Sequence, residues 1–127
     1  MLEHLRQRVV ETLASIQTAT LSTSGPAGIQ ARAFPCEARG LHLYLLIPGV
    51  SDQLLNLEYD PTAVVSTPAW QLHGSVLILN LRDAPAGLVL VHDPDAVGCV
   101  LVQIRPFRLQ INRRNGWGFS ETIDIEI

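Results

Sequence analysis

The chain has two kinds of hydrophobic spacing, a helical one at its N-terminus and a strand-like one further on. Near the N-terminus, apolar residues recur at steps of three and four, the spacing of one face of a helix of about four turns: Leu2, Leu5, Val9, Leu13 and Ile16. Residues 18–23 instead alternate small polar and apolar side chains, residues 24–28 have the composition of a tight turn, and an extended pattern resumes at Ile29. The patterns predict an amphipathic helix followed by a β-hairpin.

A third strand and a second helix are predicted directly after this hairpin. Residues 41–47 form an apolar run of strand length, which begins after a turn at Arg39-Gly40 and ends at Pro48-Gly49. The Ser51 side chain can then accept a hydrogen bond from a free amide of a short helix containing three leucines, with Asp52 at its positive end. We therefore expect a three-stranded antiparallel meander and a short helix capped by Ser51.

The rest of the chain continues the β pattern. Strands are expected over residues 62–67, over 70–81 with Gly74 allowing a bend or a close neighbour, over 99–111 with an interruption at Pro106, and over 122–127; a short helix is expected within 88–98. Several short strands favour a small closed barrel over an open sheet with exposed edges. The N-terminal helix should cover one opening of this barrel.

Length and charge limit the possible classes of protein. At 127 residues and 47% hydrophobic, the chain fits one domain over residues 1–127. No apolar run approaches the ~20 residues that cross a bilayer, and the N-terminus does not read as an export signal, so we expect a cytoplasmic protein without a membrane partner. The net charge of −3 argues against a general nucleic-acid surface.

Candidate chemistry is sparse. All nine basic residues are arginine, which excludes a lysine Schiff base and leaves arginine, backbone amides or polar side chains to hold an anion. Cys36 and Cys99 lie in apolar runs and are expected to be buried, reduced thiols, and the four scattered histidines predict no metal site. Trp70 and Trp117 are expected as core or dimer-interface anchors, and His73 as a satisfied core or interface histidine. We assign no catalytic residue.

Five segments, in this order, carry a family resemblance: ATLST after the first helix, IQARAFPCE, LHLYLLIP, SDQLLNLEYDP and AVVSTPAWQLHG. Together they resemble the pyridoxamine 5′-phosphate oxidase-like FMN-binding split-barrel family over nearly the whole chain. The resemblance implies a mainly β fold, a split β-barrel of about six antiparallel strands with an N-terminal helix and a short helix after the third strand. It also implies a homodimer with FMN in a groove at the subunit interface. Residues matching the family's FMN-binding positions are the phosphate-binding arginine, three residues that pass the flavin ring, and the serine of the following helix: Arg32, Ala33, Phe34, Pro35 and Ser51.

Two FMN-binding positions depart from the family. Ile47 stands where many members have threonine, and Gln53 stands where they have the phosphate-binding lysine. A lysine–phosphate contact is worth about 1.5–3 kcal/mol. Gln53 can still donate a neutral hydrogen bond, and the N-terminus of the helix supplies free amides.

Two functions follow from the resemblance. The first is a homodimeric FMN flavoprotein that passes electrons or a hydride between a nicotinamide cofactor and a small acceptor. Oxidation of pyridoxamine phosphate itself is not expected, because members with that activity have a further C-terminal segment. The alternative, motivated by Ile47 and Gln53, is a dimeric barrel that has lost flavin and is a non-catalytic ligand-binding or interaction module.

Overall fold

The protein is described here by a computed structural model that covers residues 2–125. The seven strands follow the predicted order, as do the helices α1 and α2. The elements are α1 (Glu3–Leu13), β1 (Thr18–Thr23), β2 (Gln30–Arg39), β3 (His42–Pro48), α2 (Asp52–Tyr59), β4 (Thr62–Ser66), β5 (Trp70–Leu79), β6 (Cys99–Asn112) and β7 (Phe119–Asp124).

Six of these strands close into an antiparallel barrel. The sheet order is β3-β2-β1-β4-β5-β6-β7, and an additional pairing of β3 with β6 closes the ring. The long strand β6 has two partners on one edge: its first half pairs with β3, from Cys99 to Ile104, and its second half pairs with β7, from Arg108 to Asn112. The predicted split β-barrel with two helices is therefore confirmed.

Helix α1 packs against the barrel core through one face. Val9 and Leu13 are fully buried and belong to the main hydrophobic core. The helix has 11 residues, about one turn fewer than expected, because the chain turns after Leu13 and the Ile16 N–H donates to the Leu13 carbonyl at 3.3 Å. Leu2 is 64% exposed and takes no part in the core.

Strand β6 runs through Pro106, so the predicted interruption is wrong. Pro106 lies opposite Gly74 of β5, where the register shifts and Phe107 becomes an extra residue. A bulge of this kind accommodates a residue that has no N–H to donate. A Cβ on Gly74 would lie 2.5 Å from Ile104 Cγ2, so the predicted close approach at this glycine is confirmed.

The segment between β5 and β6 forms three single 3₁₀ turns where a short helix was expected: Leu81–Asp83, Leu90–His92 and Pro94–Ala96. It packs over the outside of the barrel. Leu88 is buried there in a second hydrophobic cluster with Tyr44 and Leu101. The Leu90 N–H donates to the Glu37 carboxylate at 2.9 Å, which attaches the segment to β2.

The cysteines and tryptophans fulfil the sequence expectations in part. Cys36 is buried, and burial raises the pKa of its thiol to about 12, so it is an unreactive core residue. Cys99 is only half-buried at the start of β6, and its thiol donates to the Asp95 carbonyl at 3.3 Å. Trp70 lies in the core, whereas Trp117 is 96% exposed on the β6–β7 turn and is not a core residue.

The last predicted strand is shifted toward the N-terminus, because β7 covers Phe119–Asp124; residues 126 and 127 of the predicted range lie outside the described residues. Between residues 2 and 125, no helix is both long enough and apolar enough to cross a bilayer.

Candidate functional site

An open groove of about 540 Å³ lies between β2, the end of β3 and the first turn of α2. We call it the α2 groove. Its volume falls within the range of small-molecule sites. Its lining combines apolar side chains with a few polar ones: Gln30, Arg32, Phe34, Pro48, Val50, Ser51, Asp52, Gln53 and Leu55.

The alternation of β2 decides which predicted residues reach the groove. Arg32 and Phe34 point to one side of the strand and line the groove. Ala33 and Pro35 point to the other side, where they line two shallow depressions elsewhere on the surface. Ile47 is fully buried in the barrel core. Four of the seven predicted positions thus meet at the groove, and the FMN-binding roles stay predictions.

Arg32 is the free cation of the groove. Its side chain is exposed, and it makes no hydrogen bond or ion pair with any residue from 2 to 125. The adjacent Gln30 side chain is already used, because its amide nitrogen donates to the Ala27 carbonyl at 2.9 Å. The Arg32 guanidinium is therefore available for an anionic ligand group.

Ser51 is the N-cap of α2, as its sequence position predicts. Its Oγ accepts a hydrogen bond from the Leu54 N–H at 3.2 Å and donates its own proton to the Pro48 carbonyl at 3.1 Å. The hydroxyl proton is thus already in use. Toward a ligand, Ser51 offers only a further acceptor lone pair.

Gln53 is turned into the protein. It is 2% exposed, its amide nitrogen donates to the Leu21 carbonyl at 2.9 Å, and its Oε1 accepts the Thr23 hydroxyl at 2.5 Å. Asn56 donates to the same Thr23 oxygen at 3.2 Å and to the Gly28 carbonyl at 2.8 Å. We call these three side chains, Thr23, Gln53 and Asn56, the α2 clamp. The clamp fastens α2 to the β1–β2 hairpin.

The sequence analysis did not identify Thr23 and Asn56. A signal for Asn56 is nevertheless present, because Gln53, Asn56 and Leu57 are separated by steps that place them on one face of α2, and all three are buried. Polar side chains on the buried face of a short helix require partners inside the protein. That requirement points to a structural network on this face.

Asp52 also lines the groove, in the first turn of α2. Its carboxylate is exposed and forms no ion pair within residues 2–125. The α2 groove therefore combines one free cation, Arg32, with one free carboxylate. With its exposed apolar residues Val50 and Leu55, it can hold an aromatic ligand that carries a polar end.

A second depression of about 300 Å³ lies on the outside of the barrel. Ser22, Val64 and His73 pair in one row across β1, β4 and β5. Two apolar side chains border this row, Ile29 at 85% and Phe107 at 47% exposure. We call these five residues the outer face. It contains no charged side chain.

His73 of the outer face lies 3.0 Å from the Gln71 amide nitrogen through its Nε2, and its ring centroid is 6.4 Å from that of Phe107. No carboxylate or nucleophilic side chain is paired with it within residues 2–125. The neighbourhood is that of a satisfied surface histidine, which does not form an acid–base pair.

Comparisons with known proteins place the fold. No protein-family model matches the chain, and no curated protein sequence matches it either. Solved structures do. General stress protein 26 from Bacillus anthracis superposes with a TM-score of 0.65 at 16% identity, over 96% of this chain and 99% of that one.

Two further structures add to this. A protein related to general stress protein 26, of the pyridoxinephosphate oxidase family, from Clostridium acetobutylicum gives a TM-score of 0.61 at 14% identity, over 100% of this chain and 97% of its own. A FAD-binding protein from Mesorhizobium loti gives a TM-score of 0.62 at 12% identity, over 81% of this chain and 90% of its own. At such identities the likeness establishes the fold: the chain has the split-barrel fold found in the pyridoxinephosphate oxidase family.

Proposed function

We propose that the chain is a homodimeric flavoprotein that binds FMN in the α2 groove and acts as an oxidoreductase on a small substrate, with a nicotinamide cofactor as electron donor. The observation that carries the proposal is the free, exposed guanidinium of Arg32 in a groove of ligand size. Two structures with the same fold support it by their names, one FAD-binding and one of the pyridoxinephosphate oxidase family.

The groove residues fit a flavin unevenly. Pro48, Val50 and Leu55 offer exposed apolar surface for the ring system, whereas Phe34 is largely buried in the core at 9% exposure. Arg32 can pair with an anionic group on the flavin side chain. Gln53 cannot replace the family's lysine in its present orientation, because its donor and acceptor are engaged in the α2 clamp. The apolar residues of the groove therefore suit the flavin ring. For the phosphate, the groove lining within residues 2–125 offers one cation, Arg32.

A bound flavin would supply the redox chemistry, the acceptance and release of a hydride or of electrons. The protein's own residues would position and shield it. Arg32 would orient the ligand through its anionic end, and the apolar walls would exclude water from the ring. This division of labour needs no protein nucleophile, and within residues 2–125 the groove lining contains neither cysteine nor histidine.

Support for a homodimer comes from the outer face. Ile29 is 85% exposed and Phe107 is 47% exposed beside an uncharged row of strand residues. Apolar surface of this kind is commonly covered by a two-fold partner. Phe107→Asp should therefore shift the protein from dimer to monomer in light scattering, whereas Val97→Asp, at an exposed apolar residue outside the outer face, should not. A wild-type chain that is monomeric at all concentrations would refute the dimer.

Titration of the purified apo-protein with FMN, followed by quenching of flavin fluorescence, tests flavin binding. We expect saturable binding, and Arg32→Ala should weaken it about tenfold or more, since a charge-assisted hydrogen bond is lost. Arg114→Ala is the matched control, because Arg114 is an exposed arginine outside the groove lining. Equal affinities for both variants and the wild type would remove Arg32 from the site.

A second candidate is the barrel without flavin, acting as a binding or interaction module. The engagement of Gln53 in the α2 clamp and the free carboxylate of Asp52 favour it. A protein that purifies colourless and shows no saturable quenching with added FMN would support this candidate and exclude the flavoprotein.

A further inference from the structure

We propose that the α2 groove binds a flavin without a phosphate, riboflavin, about as well as FMN, and that Asp52 is the residue that sets this selectivity. The proposal rests on the proposed flavin binding and concerns which member of that ligand class the groove prefers. It follows from the charges in the groove.

The charge balance is unfavourable to a dianion. A phosphomonoester carries a charge of about −1.5 to −2 at neutral pH. Among residues 2–125, Arg32 is the one cation that lines the groove, and the carboxylate of Asp52 offsets it. Neither side chain is ion-paired within residues 2–125, so the positive charge of Arg32 and the negative charge of Asp52 both act on a ligand in the groove. A phosphate there would gain one attraction and meet one repulsion.

Asp52 also occupies the end of α2 that would otherwise favour an anion. The N-terminus of a helix carries free amides and a partial positive charge, which a phosphate can use. In α2 the Ser51 hydroxyl already caps the Leu54 amide, and the carboxylate of Asp52 lies in the first turn. The helix end is therefore already stabilised by the protein's own acceptor and anion.

The α2 clamp removes the remaining donor. The Gln53 amide nitrogen donates to the Leu21 carbonyl, and its oxygen accepts the Thr23 hydroxyl, so turning Gln53 toward a phosphate would leave both partners unsatisfied in a buried region. A neutral flavin side chain meets none of these penalties. Its hydroxyls can accept hydrogen bonds from Arg32.

The experiment compares riboflavin and FMN as ligands of the apo-protein by fluorescence quenching, in wild type, Asp52→Asn and Glu58→Gln. Glu58 is an exposed carboxylate of the same helix outside the groove lining, so Glu58→Gln makes the same charge change without touching the site. We expect the two flavins to bind wild type within about threefold of each other. Asp52→Asn should tighten FMN binding about twofold to tenfold with riboflavin unchanged, and Glu58→Gln should leave the ratio of affinities unaltered.

The outcomes separate the two proposals. If wild type binds FMN more than about tenfold tighter than riboflavin, or if Asp52→Asn leaves the ratio of affinities unchanged, the selectivity proposal is overturned while flavin binding stands. If neither flavin binds any of the three proteins, flavin binding itself is overturned, and this inference with it.

Discussion

The two walls of the α2 groove differ in whether the side chains predicted to bind FMN are already hydrogen-bonded within the protein. On the β2 wall, Arg32 is exposed and unpaired among the described residues 2–125. On the α2 wall, Ser51 and Gln53 donate and accept inside the protein. Arg32 and Ser51 both match FMN-binding positions of the family, but of these two only Arg32 keeps its hydrogen-bond donors vacant among residues 2–125. A residue that matches a family's ligand-binding position is therefore available to a ligand only if its hydrogen-bonding groups are not already used within the protein.

The largest effect on stability should come from Asn56→Ala on the α2 wall. The substitution removes the donor to Gly28 and the acceptor for the Ala27 N–H, a bond of 2.9 Å. We expect the free energy of unfolding to fall by about 2–4 kcal/mol, measured by urea denaturation. Glu58→Ala, on the exposed side of the same helix, should change it by less than about 0.5 kcal/mol. Equal effects would show that the clamp contributes nothing.

Gln53→Met should have the next largest effect on stability. Methionine keeps the length of the side chain but leaves the Leu21 carbonyl without its donor and the Thr23 hydroxyl without its acceptor. The expected loss is about 1–3 kcal/mol of unfolding free energy. FMN affinity, measured under conditions where the variant is fully folded, should stay within about twofold of wild type, since the polar atoms of Gln53 face inward. A large loss of affinity with little loss of stability would make Gln53 a ligand residue instead.

Ser51→Ala should have a smaller effect. The substitution removes the acceptor for the Leu54 N–H at the start of α2. Loss of an N-cap of this type costs about 1 kcal/mol, visible as a shift of the urea midpoint. Ser51→Thr keeps the hydroxyl and should restore most of the stability. If threonine were no better than alanine, the cap would not be the cause.

The smallest effect on stability should come from Arg32→Ala on the β2 wall. Arg32 is exposed and unpaired within residues 2–125, so its removal should change the unfolding free energy by less than about 0.5 kcal/mol. A loss as large as that of Asn56→Ala would erase the difference between the two walls. It would show that Arg32 supports the fold.

The parts of the fold that depend on residues close together in the sequence were predictable from it. Ser51 predicts the start of α2, and the apolar run after Gly40 predicts β3. The unbroken β6 was not predictable, because Pro106 is tolerated only through the register shift opposite Gly74, and that pairing joins two strands far apart in the sequence. The predicted short helix before β6 was wrong, because the shape of this segment depends on packing of Leu88 against the outside of the barrel.

The candidate site was predictable as a location and less so as chemistry. The family pattern and strand alternation together place Arg32 and Phe34 on one side of β2, as found. The engagement of Gln53 could not be read from the sequence, because its partner carbonyl at Leu21 lies 32 positions away. Whether a polar side chain is free is a tertiary property, and neither spacing nor composition reports it.

The pairing of β3 with β6 has a consequence for how the chain folds. Leu43 pairs with Ile104, residues 61 positions apart, whereas the β1–β2 hairpin joins residues such as Thr23 and Gln30 that are seven apart. Closing the longer loop costs more chain entropy, and it is repaid only after β4, β5 and the intervening turns have formed. We therefore expect the meander and the β4–β5 hairpin to form early and the seam between β3 and β6 to close late.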